Sequence, residues 1–115
     1  MKEIIAIIRP QKWAATKAKL EAMAVVSFTE HRVFGRGMQN GLRYLKPGSI
    51  ELSGITYIPK RMIHIIVTDE AVEKIVSTIS EVNQTPAMGD GKIFVCPMDE
   101  AIRIRTQEQG AAALT

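Results

Sequence analysis

The chain has 115 residues, 46% of them apolar and 23% charged, and 15 Lys and Arg against 12 Asp and Glu give a formal net charge of +3. That length supports one hydrophobic core and leaves too little for a second, so a single domain over 1–115 is expected. No run of five or six basic residues occurs, so net charge alone does not mark a nucleic-acid arm. One cysteine, Cys96, excludes an intrachain disulfide and a multi-cysteine zinc site and favours a cytoplasmic setting.

The first element is Ile4 to Ile8, five apolar residues closed by Arg9-Pro10. This run is too short for a signal-peptide core or a membrane span, and its β-branched content reads as a buried strand. From Trp13 the pattern changes to a helix with Trp13, Leu20, Met23 and Ala24 on one side and lysines 12, 17 and 19 outside. Val25 to Phe34 mixes apolar and polar residues as a half-buried strand does. Gly35 to Tyr57 holds five glycines and Pro47 without a sustained period, which predicts a long connection of the kind that compact domains keep for function.

Ile63 to Val67 is a further buried strand. Asp69 opens a helix with Val72, Ile75, Val76, Ile79 and Val82 on one stripe, and Asp69, Glu70 and Glu73 complement its dipole. After Gln84-Thr85-Pro86 and Gly89-Asp90-Gly91, Lys92 to Cys96 is the fourth strand, Ile102 to Arg105 alternates like a short fifth, and Gly110 to Thr115 reads as a frayed tail. Two strand-helix-strand units give an α+β, ferredoxin-like βαββαβ domain, helices on one face of the sheet and a long loop between strands 2 and 3. The other face lacks a cover, so self-association is expected.

Thr85 to Lys92 is the segment richest in chemistry. Two glycines flanking Asp90 let backbone N–H groups converge on an anion, with Lys92 adding charge, although an ordinary turn uses the same residues. Neither Walker A nor G-x-G-x-x-G is present. Arg103 and Arg105, two apart in an alternating strand, would project from one face about 6 to 7 Å apart, a spacing that suits a polyphosphate. His31 and His64 lie in different strands without a spaced carboxylate, which predicts ordinary polar positions rather than a metal site. Cys96 follows Phe94-Val95 and reads as a small buried apolar residue.

Together, Thr85 to Val95 (TPAMGDGKIFV), Arg103-Ile104-Arg105-Thr106, Ile7-Ile8-Arg9-Pro10, and Phe34-Gly35-Arg36 with Gln39 resemble the PII nitrogen-regulatory signal proteins, from Met1 to about Glu108. The resemblance implies a trimer with long flexible loops, here about 37–57, and a C-terminal tail at 107–115. It implies ATP or ADP in a cleft between subunits, with Ser27, Gly35, Arg36, Ile66, Gly89, Asp90, Gly91 and Lys92 from one chain and Arg103 and Arg105 from the next. It further implies 2-oxoglutarate on Gln39, Lys60 and the Gly89 backbone, bridged to the phosphates by Mg²⁺ that Gln39 helps to ligate.

Three departures accompany this resemblance. The Y-[KR]-G-[AS]-x-Y uridylylation pattern is absent, since Tyr44 is followed by Leu45-Lys46-Pro47-Gly48. Gly37-Met38 between Arg36 and Gln39 gives G-R-G-x-Q-x-G, similar to the nitrogenase-associated branch. Pro86-Ala87-Met88 replaces the usual Gly-Lys-Ile and removes a lysine near the phosphates.

The implied function is a non-enzymatic sensor of nucleotide and 2-oxoglutarate that regulates an enzyme of nitrogen metabolism, nitrogenase first, as a homotrimer or as a mixed trimer or hexamer with a sister chain. An RNA-binding module of the same topology is the rival reading, but the chain has three Phe, two Tyr and one Trp and no strand of stacking aromatics. A phosphatase would need a nucleophile and base that the sequence does not display. A partner-only adaptor without metabolite sensing remains as the other alternative.

Overall fold

The computed structural model describes residues 1–36, 50–52 and 55–115. The isoleucine run forms β1 (Lys2–Ile8), the centre of the sheet, with Ile4, Ala6 and Ile8 buried and the alternate residues half-buried. After it come α1 (Trp13–Ala22), β2 (Thr29–Gly35), β3 (Ile50–Leu52), β4 (Ile55–Val67), α2 (Val72–Asn83) and β5 (Gly91–Pro97), with short 3-10 turns at Pro10–Lys12, Asp69–Ala71 and Gly110–Leu114. The strand order is β2-β4-β1-β5, every neighbouring pair antiparallel, and β3 pairs with the outer end of β4. This is the ferredoxin-like arrangement expected from the order of elements.

Both helices lie on one face. Ile4, Ala6 and Ile8 with Ile63 and Ile65 meet Leu20 of α1 and Ile75 and Ile79 of α2, and these residues make the buried core. In α2 the buried positions Ile75, Ile79 and Asn83 recur every four residues, as one helical face requires. The Asn83 amide donates to Thr16 Oγ1 at 3.0 Å and to the Ile79 carbonyl at 2.8 Å, a buried polar tie between the helices. Trp13 and Phe28 close one end edge-to-face, centroids 5.4 Å apart.

Several boundaries differ from expectation. The first helix stops at Ala22, because Ala24 takes φ +63° and Val25 N–H bonds back to the Leu20 carbonyl; Ala24 is exposed rather than part of the helical stripe. The second strand begins at Thr29, and Val26 is 70% exposed. The strand read at Ile63 starts eight residues earlier, at Ile55, so part of the expected loop is a β3–β4 ribbon; residues 37–49 and 53–54 of that loop lie outside the described residues.

The short fifth strand is absent. Ile102 makes one isolated bridge to Gln109, and between them the chain turns back on itself, with Arg103 N–H donating to the Glu108 carbonyl, Gln107 N–H to that of Arg103, and Gln107 at φ +63°. Alternation over four residues fits such a turn as well as a strand, and no neighbouring strand offers a ladder there. The tail forms a 3-10 turn with Ala113 and Leu114 half-buried.

Candidate functional site

Where β1 ends, Arg9 reaches across to the turn that precedes β5. Its Nη1 donates to Asp90 Oδ1 at 2.6 Å and its Nη2 to the Met88 carbonyl at 2.7 Å. The other Asp90 oxygen accepts the Thr85 backbone N–H at 2.8 Å, and Thr85 Oγ1 donates a second bond to the same carboxylate. The Thr85 hydroxyl, then its backbone N–H and the Arg9 guanidinium hold the Asp90 carboxyl down at about 2, against an ordinary 3.8. The carboxylate thus closes the turn as an anion and its charge is matched by Arg9.

Two glycines in this turn hold conformations that other residues avoid, Gly89 at φ +96° and Gly91 at φ +117°. A Cβ on Gly91 would sit 1.8 Å from the Ile7 carbonyl oxygen, so only glycine lets β5 enter the sheet at this point. Lys60 of β4 donates to the Gly89 carbonyl at 2.7 Å, and its stem passes 3.8 Å from where a Gly35 side chain would begin. Gly35, Lys60 and Gly89 therefore converge, and Lys92 is exposed beside them. Asp90, Gly91 and Lys92 also line a cleft of about 380 Å³ together with Ile8, Val76 and Ile79, a volume within the range of small-ligand sites.

The remaining expected site residues are more scattered. Ser27 is exposed in the connection before β2, Arg36 is exposed just beyond β2, and Ile66 is half-buried opposite Glu3 on the sheet face away from the helices. Gln39 lies outside the described residues. Arg103 and Arg105 do not share a strand face: Arg103 is turned inward, donating to Glu108 Oε1 at 2.9 Å and to the carbonyls of Ala112 and Thr115, while Arg105 is exposed in the turn. Ile102 and Ile104, which flank Arg103, are 54% and 89% exposed.

Sequence reasoning singled out Asp90 but missed its partners. Arg9 is 81 positions away and Thr85 five, and the only hint was that Arg9-Pro10 closes the strand next to the one that Gly91 begins. A second such group is Glu3 with His64 and His31 on the open sheet face, where β1 supplies a carboxylate that spacing along the chain had not suggested. Among the described residues no group of three or more His, Cys, Asp or Glu is arranged to hold a metal, and no helix is long and apolar enough to cross a membrane.

The sequence model of the Nitrogen regulatory protein P-II family matches residues 1–108, a span that holds both the Arg9–Asp90 closure and the G-D-G-K turn. The chain belongs to the PII nitrogen regulatory family. Among similar proteins, a "Nitrogen fixation nifHD region GlnB-like protein 2" of Methanobacterium ivanovii is 46% identical over 121 residues, covering 99% of this chain and 99% of the relative. A protein of the corresponding nifHD1 description from Methanosarcina barkeri is 43% identical over 99% of each chain. "Nitrogen regulatory protein P-II 2" of Methanothermobacter thermautotrophicus is 45% identical, covering 99% of this chain and 97% of the relative. PII proteins are regulators, and the nifHD-region descriptions of these relatives are those of the nitrogenase-associated branch of the family.

Proposed function

We propose that this PII chain is a cytoplasmic, non-catalytic signal protein that binds ATP or ADP and 2-oxoglutarate and regulates an enzyme of nitrogen metabolism, nitrogenase first. The observation that carries the proposal is the closed turn at Thr85 to Gly91. Arg9 and Thr85 consume the Asp90 charge internally, so an anion approaching the turn would meet Lys92, exposed beyond Gly91, rather than a free carboxylate. Two glycines keep the backbone clear of side chains there, as close approach of a phosphate requires. The nifHD-region descriptions of the relatives support the choice of nitrogenase.

In this reading the nucleotide lies between subunits of a homotrimer, or of a mixed trimer or hexamer with a sister chain. Ser27, Gly35, Arg36, Ile66 and Gly89 to Lys92 hold it from one side, and Arg103 and Arg105 from the other. The two arginines have different tasks to reach it. Arg105 is exposed already, whereas Arg103 must exchange Glu108 for phosphate. Lys60 would pair with a carboxylate of 2-oxoglutarate, and Mg²⁺, held with the help of Gln39, would supply charge neutralisation between the two anions.

Calorimetric titration tests the proposal: ATP and ADP should each bind, and 2-oxoglutarate should bind only with ATP and Mg²⁺. Protease cleavage in 37–57 should respond to 2-oxoglutarate, and Gln39→Ala should abolish the response while leaving ATP binding largely intact. Failure to bind any of the three leaves the partner-only adaptor as the reading.

A further inference from the structure

On the sheet face turned away from the helices, β2 and β4 bring the two histidines of the chain together. Thr29 is paired with His64 and His31 with Met62, so the imidazoles sit diagonally on adjacent strands and on the same face. Their Nε2 atoms are 3.3 Å apart and their ring centroids 5.3 Å apart. From the central strand, Glu3 Oε2 stands 3.0 Å from His64 Nδ1. A carboxylate accepts and does not donate, so Glu3 fixes the His64 hydrogen on Nδ1 and leaves a lone pair on Nε2, the atom that faces His31.

Two imidazole nitrogens this close hold either the hydrogen of one ring or a metal ion between them, because two facing lone pairs would repel. Zinc–nitrogen bonds of about 2.0 to 2.1 Å at a tetrahedral angle put two ligand nitrogens about 3.3 to 3.4 Å apart, the separation found here. A carboxylate on the far nitrogen is also the usual companion of a ligating histidine, orienting the ring and raising its basicity. The register of the strands sets all three positions.

We infer that His31 and His64 form a two-histidine site for a divalent transition-metal ion of the zinc class, one per chain. Glu3 is its positioning residue, and water or a donor from outside the chain completes the coordination. Imidazole selects zinc, copper or nickel over magnesium, so this site is chemically separate from the phosphate-binding end. Cys96 faces Glu3 from β5, on the other side of β1, and lies two strand spacings from β4, about 9 to 10 Å, beyond reach of an ion on the histidines.

The test titrates metal-stripped protein with Zn²⁺ alone by calorimetry and examines the loaded protein by X-ray absorption. One Zn²⁺ per chain should bind, with two imidazole nitrogens at about 2.0 Å. His31→Ala and His64→Ala should each weaken binding at least tenfold, Glu3→Gln by about 10- to 100-fold, and Cys96→Ser not at all. A thermal melt of each variant confirms that it folds. Excess Mg²⁺ should not displace the zinc. Undiminished zinc affinity in His31→Ala, or no stoichiometric binding by the unmodified protein, would overturn the site and leave a hydrogen-bonded pair of imidazoles.

Discussion

Asp90 and Arg9, 81 positions apart, meet at 2.6 Å, so one ion pair fastens the exit of the central strand to the turn that introduces the edge strand β5. The pair is partly shielded, with the Arg9 side chain 13% exposed. Because Thr85 and Arg9 depress the Asp90 carboxyl in the folded state to about 2, below its ordinary 3.8, its contribution to stability is complete above about pH 4 and is lost as pH falls through about 2. Chemical denaturation at several pH values should show this loss in the unmodified protein and a shallower one in Asp90→Asn. Asp69, whose carboxyl is also held low, by the chain's amino group at 3.1 Å, titrates in both proteins and cancels in the comparison. Superimposable acid profiles would remove Asp90 as the anchor of the turn.

Gly91→Ala should be among the most damaging single changes in the chain. The new methyl would overlap a backbone carbonyl that cannot swing away, and φ +117° is itself unfavourable for alanine. A loss of about 3 kcal/mol or more is expected from strain of this kind where β5 joins the central strand. Gly110→Ala, also at positive φ but with open space around it, should cost much less. Urea midpoints of the two variants decide it; equal losses would mean that the contact with Ile7 does not matter.

The arginines should separate binding from folding. Arg105→Ala removes an exposed cation and should weaken ATP binding by about 1.5 to 3 kcal/mol with little effect on the melting temperature. Arg103→Ala should weaken ATP binding and also release the turn at Gly110–Leu114, because it deletes the donor shared by Glu108 and two tail carbonyls. Calorimetry gives the first quantity and hydrogen exchange at Ala112 to Leu114 the second. Unchanged ATP affinity when both are replaced would sink the phosphate assignment.

How much was legible in the sequence depended on range. The isoleucine run of β1 and the four-residue stripe of α2 announce themselves because burial on that sheet and on that helix face leaves a local period. Turn closure leaves none: Thr85 and Asp90 were in view, but Arg9 joins them only after β1 and β5 have paired. The carboxylate beside His64 was out of view for the same reason, since Glu3 arrives through the register of β1 on β4. Ile102 to Arg105 was misread in the other direction, a local alternation with no strand beside it to make it a ladder.

The open sheet face should assemble the protein. Ile5, Ile7, Met62 and Ile66 lie on it half-buried and Phe94 is 47% exposed, and no helix among the described residues covers them. Light scattering should report about three chains, and Ile5→Glu, which places a charge at the centre of this face, should shift the mass towards one. A monomer at micromolar concentration in the unmodified protein would reject assembly through this surface.

β4 outlasts its neighbours: β1 leaves it at Arg61 and β2 at Ile58, while the strand runs on to Ile55 with β3 alone beside it. At about 3.3 Å per residue, the six positions from Ile55 to Lys60 carry the ribbon roughly 20 Å past the end of the central strand. Pro59, which lacks an N–H, falls where β1 has already gone, so its missing bond is absorbed at an edge. The result is a cantilever. Its fixed end is the pair of fully buried isoleucines 63 and 65, its free end the ribbon, and Lys60 stands between them holding the Gly89 carbonyl. Anything that pulls Lys60 off that carbonyl acts near the root of the beam, where a small rotation is magnified along the strand towards Ile55.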